Sequence, residues 1–307
     1  MNLVADSSGY FLYGTLKPGQ IAFYLIEDFI DANKTVDAVL PGHYLAIRDG
    51  LPFAYPLALK NPGSGELMQL SGFLVYPKDG EASKLDEIIC EYEGSKLYKR
   101  EFGVVVTSRG ERIGASFYAV KKARNRKARE VIDGTWRITD DPILGYGLPM
   151  LVEEIKKMNL ENIQKWPADM PDKYWPLMWK IQGMYANLNS VLERFCRFYF
   201  GSDTSKEYGP EGMDELWRAN PDRLSLELPE VQVHNAKEAS NSKLFRSADK
   251  PFSTWYQVRN NMVHAGKDGY EDLETIIGAT VGMMKLLPET ILSVVPEFEK
   301  KWSELKK

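Results

Sequence analysis

A change in hydrophobic period along the chain constrains the fold more than any other feature. Up to about residue 120, short strand-like apolar runs alternate with Pro-Gly, Asp-Gly and Arg-Gly turns. From about Asp172, apolar residues recur three and four positions apart, as they do on one face of a helix. All seven tryptophans lie after residue 135, so composition changes together with period. The two patterns bury their apolar sides in different ways, and they predict two separately packed parts.

The predicted fold is therefore α+β, with a mixed α/β domain at residues 1–140, a connecting segment at 141–170 and an all-α domain at 171–307. Helices should interrupt the strands of the first domain twice. One is expected to begin near Gln20 and the other to span residues 81–91, because apolar residues recur there at helical spacing.

Four helices are predicted in the second domain, with a long excursion between the first and the second. They comprise a helix from near Asp172, a helix with Ser253 or Thr254 as its N-cap, a helix that ends before Pro288, and a helix over residues 291–302. The excursion, residues 201–251, is rich in Pro, Asn, Ser and Asp and is expected to lie between helices.

Composition excludes several classes of protein. With 39 basic and 43 acidic side chains, the 307-residue chain has a formal net charge of −4, which argues against non-specific coating of nucleic acid. Cys90 and Cys196 have no CxxC partner, so we expect neither a disulfide framework nor a zinc site. The first residues lack the pattern of a signal peptide, so we expect none. No long uninterrupted apolar run or phosphate-binding glycine motif occurs in the sequence. We expect a soluble, cytoplasmic protein without a metal, a cofactor or a membrane partner.

The sharpest local pattern is FLYGTLKPG at residues 11–19, an apolar strand that runs into a turn. We expect Gly14 to give this turn backbone conformations that other residues avoid. The amides after it would then point outward, where they can hold a carboxylate or a developing oxyanion. An ordinary strand and turn is the alternative interpretation.

A second pattern, CEYEG at residues 90–94, is followed by LYKR at 97–100 and by an apolar strand at 102–106. In order and spacing, these segments resemble the gamma-glutamyl cyclotransferase-like family, whose hallmarks are a YG(S/T)LxxG turn and a later L-D-x-x-E-G segment before Y-x-R. The similarity covers roughly residues 9–138 and includes the strings PGHY, LPFAYP, LSGFLVY and GTWR. One departure is Ile89-Cys90, which stands where Leu-Asp is usual.

This resemblance implies a mixed β-barrel with flanking helices and an intramolecular aminolysis. The free α-amine of a small γ-glutamyl substrate attacks its own γ-carbonyl, which releases an amine or peptide and leaves 5-oxoproline. Glu93 is then the general base, and the backbone amides of Gly14, Thr15 and Leu16 are the donors to the oxyanion. Because the substrate carries its own nucleophile, holding one folded conformer lowers much of the barrier.

Glu93 needs a particular environment for this role. A free glutamate has a pKa of about 4.3, which is too low for an effective base toward an ammonium group. We therefore expect an enclosed, partly apolar pocket that raises the pKa of Glu93, with Tyr13 and Tyr98 as walls that contact the substrate. The alternative is a solvated carboxylate at the end of a helix.

In the helical domain, the string RNNMVH puts Arg259, Asn260 and His264 on one predicted helix. Asn260 and His264 share a face, whereas Arg259 lies about 140° around the helix axis from His264. One short helix therefore does not direct both side chains at one phosphate, and a second copy of the domain would have to supply the partner residue. The structural alternative is an Arg–carboxylate pair and a histidine that caps the helix end.

This string resembles the HEPN family motif R-N/H/D-x-x-x-H, and the similarity extends over about residues 174–200 and 253–300. The resemblance implies a homodimer of helical bundles whose paired motifs cleave RNA without a metal, with Arg259, Asn260 and His264 in the cleft. Many members of that family do not cleave RNA. A basic run at residues 121–129 is either an RNA-binding patch or a solvated surface.

Three hypotheses about function follow from these patterns. In the first, the N-terminal domain is a cyclotransferase and the helical domain dimerises it. In the second, the helical domain is a ribonuclease of a toxin or phage-defence type, and the N-terminal domain senses a ligand without turnover. In the third, both pockets are inactive and the protein is an interaction module.

Overall fold

The computed structural model describes most of the chain and divides it into two units. It describes residues 9–48, 50–59, 69–93, 97–121, 128–160, 171–201, 209–220, 226–235, 244–265 and 272–305, with the backbone alone at 59, 171–174 and 264–265. The first unit comprises Met1–Asp140 with Phe198–Asp203, and the second comprises Asp141–Arg197 with Thr204–Lys307.

A mixed β-barrel forms the first unit. Within the described ranges its strands are β1 (Tyr10–Leu12), β2 (Val36–Leu40), β3 (His43–Arg48), β4 (Leu51–Pro56), β5 (Leu70–Val75), β6 (Tyr98–Thr107), β7 (Arg112–Val120) and β8 (Arg129–Glu130). Their order is β1-β5-β2-β6-β7-β4-β3-β8, and β1 also pairs with β7, which closes the barrel. The β1–β7 and β4–β7 pairs are parallel, and the remaining pairs are antiparallel. The predicted α+β class and the barrel are confirmed.

Large apolar side chains fill this barrel because inward and outward positions alternate along each strand. All three residues of β1 are buried, and the fully buried side chains of the unit include Phe11, Phe53, Tyr55, Phe117 and Trp136. This packing fixes the end of β1, from which the turn at residues 13–16 begins.

Helix α1 (Ala82–Glu93) lies against the outside of the barrel. Its buried side chains, Leu85, Ile89 and Tyr92, recur at a spacing of three and four residues, as the sequence predicted. Asp86 accepts hydrogen bonds from Tyr10 Oη in β1 at 2.5 Å and from Arg100 Nη1 in β6 at 2.6 Å. These contacts tie the helix to two strands, and Glu93 is its last residue.

The prediction of a helix that begins near Gln20 is wrong. Three short 3₁₀ segments, Phe23–Leu25, Glu27–Phe29 and Ala32–Lys34, occupy this part of the chain. The amide of Asp31 donates to the carbonyl of Tyr76 at 2.8 Å, and the amide of Lys78 donates to the carbonyl of Phe29 at 2.8 Å. In a continuous helix, the amide of Asp31 and the carbonyl of Phe29 would form hydrogen bonds within the helix. Because both are bonded to residues 76–78 instead, this part of the chain forms only single 3₁₀ turns.

Helices make up most of the second unit. In its described residues they are α2 (Leu148–Lys157), α3 (Pro171–Phe200), α4 (Gly209–Ala219), α5 (Pro251–Ala265), α6 (Leu273–Val294) and α7 (Glu297–Glu304), with a hairpin of β9 (Gln232–His234) and β10 (Leu244–Arg246). A π-helical turn, Ile143–Gly147, leads into α2, so residues 143–157 are helical where the sequence predicted only a connection. The last residues of α3, from Phe198, belong to the first unit.

Helix α6 was predicted to end before Pro288, and this prediction is wrong. It continues to Val294, and its burial along most of its length outweighs the one hydrogen bond that the proline removes. Beyond the proline, Thr290 Oγ1 donates to the carbonyl of Leu286 at 2.9 Å. Val295, the residue after the last helical one, precedes Pro296 and has ψ 77°. Helix α7 follows as the shorter, later form of the predicted fourth helix.

The start of α5 and the content of residues 201–251 also differ from the predictions. The helix begins at Pro251, so Ser253 and Thr254 lie inside it and neither is the N-cap. Asp214 of α4 accepts hydrogen bonds from the amides of Phe252 at 2.8 Å and Ser253 at 3.1 Å, and so caps α5 from another helix. The predicted excursion thus contains a helix and a hairpin.

Helix α6 is long and apolar enough to cross a membrane by length and composition, the one such helix in the described ranges. Within the unit, 61% of its most apolar window is buried. That degree of burial is typical of a core helix, and α2, α5 and α7 pack around it.

Candidate functional site

The turn after β1 is the first component of the site. Tyr13, Thr15 and Leu16 are buried, and Gly14 is partly exposed. The expected reason for a glycine here was wrong, because Gly14 has no positive φ. The glycine is needed for close approach instead, since a Cβ on Gly14 would lie 3.0 Å from Cγ of Pro52 in β4.

The amides of this turn are available as donors. In the part of the chain that the structure describes, the backbone N–H groups of Gly14, Thr15 and Leu16 donate no hydrogen bond to another backbone group. The carbonyls of the turn accept hydrogen bonds: the amide of Lys17 donates to the carbonyl of Gly14, and the amide of Ala22 donates to the carbonyl of Thr15. Successive amides left in this way are suited to an oxyanion or a carboxylate.

Glu93 is the second component. The residue retains partial exposure to solvent, but burial of its carboxyl raises its pKa from 4.5 to about 8. Burial also raises the pKa of Tyr13, Tyr98 and Tyr92, and the negative charge of Glu93 adds to the effect on each of them. The carboxyl of Glu93 is therefore electrostatically close to three buried phenols, one of which belongs to the turn.

Both predicted wall residues are held by their hydroxyl groups. Tyr13 Oη donates to the carbonyl of Tyr118 and accepts from the amide of Ala54 at 3.1 Å. Tyr98 Oη donates to the carbonyl of Pro52 at 3.0 Å. Because these protons are committed to backbone carbonyls and burial raises the pKa of both phenols, the two side chains are fixed and neutral.

Tyr92 belongs to the same group, and the sequence analysis missed it. Its hydroxyl donates to the carbonyl of Phe198 at 2.5 Å, and a hydrogen bond with Thr15 lowers its pKa against the larger effect of burial. Tyr92 thus links the turn to the helix that carries Glu93. Its position next to Glu93 in the sequence was the one available signal.

Two cations were also missed: Lys17, directly after the turn, and Arg48, whose charge lowers the pKa of Tyr98. Lys17 is buried, and burial followed by the charge of Arg137 lowers its pKa to about 8, while Asp133 acts in the opposite direction. Arg48, at the end of β3, lies over the ring of Phe53 with its Cζ 4.7 Å from the ring centroid. No sequence motif distinguishes either residue from a surface cation.

Cys90, which stands where the family usually has the aspartate of a Leu-Asp pair, lies in helix α1. Its Sγ lies 2.8 Å from Tyr118 Oη, while the carboxylate that holds Arg100 is Asp86, one helical turn earlier. Helix α1 is thus held against β6 and β7 without an aspartate at position 90.

The second predicted constellation is brought together in part. Arg259 Nη2 lies 3.5 Å from Glu193 Oε1, and Arg259 Nη1 donates to Asn260 Oδ1 at 3.1 Å. This contact with Glu193 is the Arg–carboxylate pair of the structural alternative. His264 is on the same helix, but its side chain lies outside the described residues, as do residues 122–127 of the basic run.

Comparison with known proteins supports the family resemblance of the first unit. Residues 10–138 match the family model described as Gamma-glutamyl cyclotransferase, AIG2-like. No curated protein sequence matches the chain at a significant level. The first unit is thus a gamma-glutamyl cyclotransferase-like domain, whereas the resemblance of the second unit to HEPN domains has no support of this kind and stays a prediction.

Solved structures overlap with the chain only in part. YkqA from Bacillus subtilis is 17% identical, with 46% of this chain and 43% of that chain covered and a TM-score of 0.30. An AIG2-like protein from Mus musculus is 16% identical, with 42% and 88% covered and a TM-score of 0.33. A structure described as gamma-glutamyl cyclotransferase is 16% identical, with 41% and 72% covered and a TM-score of 0.28. The chain spans less than half of the Bacillus protein, and overlaps this low carry no information about the site.

Proposed function

We propose, from the premise that residues 10–138 form a gamma-glutamyl cyclotransferase-like domain, that the protein releases 5-oxoproline from a γ-glutamyl amide or peptide. One observation carries the proposal. The carboxyl of Glu93 is buried, with a pKa raised to about 8, and its charge acts on Tyr13 in a turn whose amides have no backbone acceptor among the described residues. A base with this pKa is far better matched to a substrate ammonium than a free glutamate, whose pKa is about 4.3.

The proposed reaction uses each part of the site in turn. Glu93 takes a proton from the substrate ammonium, and the free amine attacks the γ-carbonyl carbon to form the new C–N bond of a five-membered ring. The carbonyl oxygen becomes an oxyanion, which the amides of Gly14, Thr15 and Leu16 stabilise. The tetrahedral intermediate then collapses and the original amide C–N bond breaks. The proton held by Glu93 passes to the leaving nitrogen, and Glu93 takes the surplus proton from the ring nitrogen, so that a neutral amine and a lactam N–H result. The released amine then takes this proton as an ammonium ion, which restores the carboxylate.

Replacement of the base tests this proposal. We expect Glu93→Gln to lower 5-oxoproline release by at least about a hundredfold, because a general base contributes roughly 10²–10⁴ to the rate. Glu91→Gln is the matched control, since Glu91 is exposed on the same helix two residues away. The assay follows 5-oxoproline by chromatography for a panel of γ-glutamyl amino acids and amines. Equal turnover by Glu93→Gln and the parent protein would contradict the assignment.

Ribonuclease activity of the helical unit is the second candidate function, with the first unit as a ligand-sensing module without turnover. Its support is that the whole R-N-x-x-x-H string lies on one continuous helix, α5, and that Arg259 contacts Asn260. A homodimer through this unit is part of the proposal, because one helix alone cannot direct Arg259 and His264 at one phosphate.

Cleavage of total RNA by the purified protein without added metal tests this candidate. His264→Ala and Arg259→Ala should each remove the cleavage. His234→Ala is the control, because His234 is exposed and lies in the same unit. RNA cleavage that persists in His264→Ala at the level of the control belongs to a contaminant or another site and contradicts the candidate.

A further inference from the structure

A pocket within the second unit is separate from the proposed active site. It has a volume of about 300 Å³, at the lower end of the range for small-molecule sites. Helices α2, α6 and α7 contribute to it, and its apolar wall includes Leu148, Val152, Leu226, Leu292 and Trp302. The indole of Trp302 is fixed, because its Nε1 donates to the carbonyl of Leu144 at 3.1 Å. The pocket therefore offers a preformed apolar surface to a ligand.

A proline inside α6 leaves a backbone acceptor at this pocket. Pro288 has no N–H, so the carbonyl of Met284, four residues earlier, lacks the amide that would close its helical turn. Helical carbonyls are directed toward the C-terminus, and this carbonyl is therefore directed toward Pro288. Both residues line the pocket. Among the residues that the structure describes, no side chain donates to the carbonyl of Met284.

The charged side chains of the pocket leave a second acceptor. Glu153 and Lys156 pair with each other at 3.0 Å. Lys285 also lines the pocket, and its Nζ donates to the carbonyl of Glu227 at 3.5 Å, so this cation has an acceptor of its own. Glu289, next to the proline, is partly buried and forms no ion pair within the described ranges. The groups left for a ligand are thus a carbonyl and a carboxylate, and both accept hydrogen bonds.

We propose that this pocket binds a small apolar amine in its ammonium form. An ammonium group carries several N–H donors and no acceptor, which suits the carbonyl of Met284 together with the carboxylate of Glu289. The hydrocarbon part of the amine packs on the apolar wall and is removed from water. The site belongs to the second unit, and the proposal is independent of the proposed cyclotransferase function.

Three matched compounds test the chemistry of the ligand. 2-Phenylethylamine, 2-phenylethanol and 3-phenylpropanoate carry the same ring with a cation, a neutral hydroxyl and an anion. In calorimetry with the full chain at pH 7, we expect a dissociation constant of about 1 mM or lower for the amine. The alcohol and the acid should bind at least about tenfold more weakly, because a hydrogen bond to a charged group is lost.

Replacement of Glu289 tests the carboxylate. Glu289→Gln should weaken binding of the amine about 10–100-fold and leave binding of the alcohol unchanged, since the variant keeps the size of the side chain and removes its charge. Glu297→Gln is the matched control, because Glu297 is exposed on α7 and lies outside the pocket while its loss changes the net charge equally. It should bind all three compounds as the parent protein does.

Replacement of Pro288 tests the carbonyl. Pro288→Val restores an amide that can bind the carbonyl of Met284, and it keeps an apolar side chain of similar size. We expect the amine to bind about fivefold more weakly, the effect of one lost hydrogen bond. The thermal stability should not fall, because valine is a better helix former than proline, so the loss of affinity does not come from unfolding.

The indole N–H signal of Trp302 locates the ligand. In a ¹H–¹⁵N spectrum, with Trp302→Phe used for assignment, this signal should shift when 2-phenylethylamine is added to the parent protein and remain in place for Glu289→Gln at the same concentration. No binding of the amine overturns the proposal, as does equal affinity of Glu289→Gln and the parent protein. Binding that leaves the Trp302 signal unchanged, or tighter binding of the acid than of the amine, overturns it as well.

Discussion

Glu93 should make the stability of the first unit depend on pH in a way that replacement by glutamine removes. Burial raises its pKa from 4.5 to about 8, so the folded protein keeps the proton over a range in which the unfolded chain has lost it. Below about pH 4.5 both states are protonated, and Glu93 costs nothing. Between about pH 4.5 and 8 the unfolded state binds fewer protons, and stability falls as pH rises. Above about pH 8 both states are ionised and the loss is complete.

The size of this loss follows from the two pKa values. Each pKa unit corresponds to about 1.4 kcal/mol, so the full penalty has an upper limit of about 5 kcal/mol. Partial exposure of Glu93 and water entry reduce it, and we expect roughly 2–4 kcal/mol in the measured free energy of unfolding. Glu93→Gln has no charge to desolvate. It should therefore match the parent protein at pH 4.5 and exceed it at pH 9.

Hydrogen exchange of the β6 and β7 amides measures this quantity for the first unit alone, since six of the seven tryptophans lie beyond it and fluorescence would report mainly the other unit. Comparing the two proteins at the same pH cancels the intrinsic pH dependence of exchange. A titration of ¹³C-labelled glutamate carboxyls, with Glu93→Gln used to assign the signal, gives the pKa directly. Parallel stability curves for the two proteins, or a carboxyl that titrates near 4.5, would refute the reasoning.

Three further predictions concern packing and assembly. Gly14→Ala should lower the free energy of unfolding by about 1–2 kcal/mol and 5-oxoproline release at least tenfold, because its Cβ would press on Pro52. Gly183→Ala on α3 has open space around its Cβ and should raise the free energy of unfolding by up to about 1 kcal/mol. Asp141→Ala should destabilise the second unit by about 3 kcal/mol in chemical denaturation, since it leaves Arg194 without the buried carboxylate 2.6 Å away; equal stability would contradict the importance of this pair. If the second unit forms a homodimer through α3, Trp179→Glu should shift the mass measured by ultracentrifugation toward the monomer, because Trp179 is 64% exposed; an unchanged mass excludes this face.

The parts of the fold that depend on local pattern were predictable. The alternation of short apolar runs and turns predicted the barrel strands, and the helical stretch predicted over residues 81–91 corresponds to α1 at Ala82–Glu93. The site residues Glu93 and Tyr13 came from a resemblance in order and spacing. Composition alone would not have separated Glu93 from a solvated glutamate, because burial is a property of the whole barrel.

The predictions that failed depend on contacts between distant residues. Gly14 is required by Pro52, thirty-eight positions later, and its own φ carries no signal. Helix α5 starts at Pro251 because Asp214 caps it from another helix. Pro288 does not end α6, because burial on its flanks stabilises the helix by more than the proline costs. Arg48 was missed for the same reason, since only the β3–β4 hairpin brings it over Phe53.

The position of Glu93 also predicts the shape of the pH–rate profile. As the last residue of α1, Glu93 meets the negative end of the helix dipole, which disfavours its ionised form as burial does. A substrate ammonium bound beside Glu93 favours the ionised form of the carboxyl. The reactive pair holds one proton, either as carboxylate and ammonium or as carboxylic acid and amine. At low pH the two groups hold two protons and at high pH none, so kcat/KM should be bell-shaped, with its maximum between the pKa of Glu93, about 8, and that of the substrate ammonium. A profile that is flat between about pH 6 and 9 would mean that proton transfer with Glu93 is not part of the reaction.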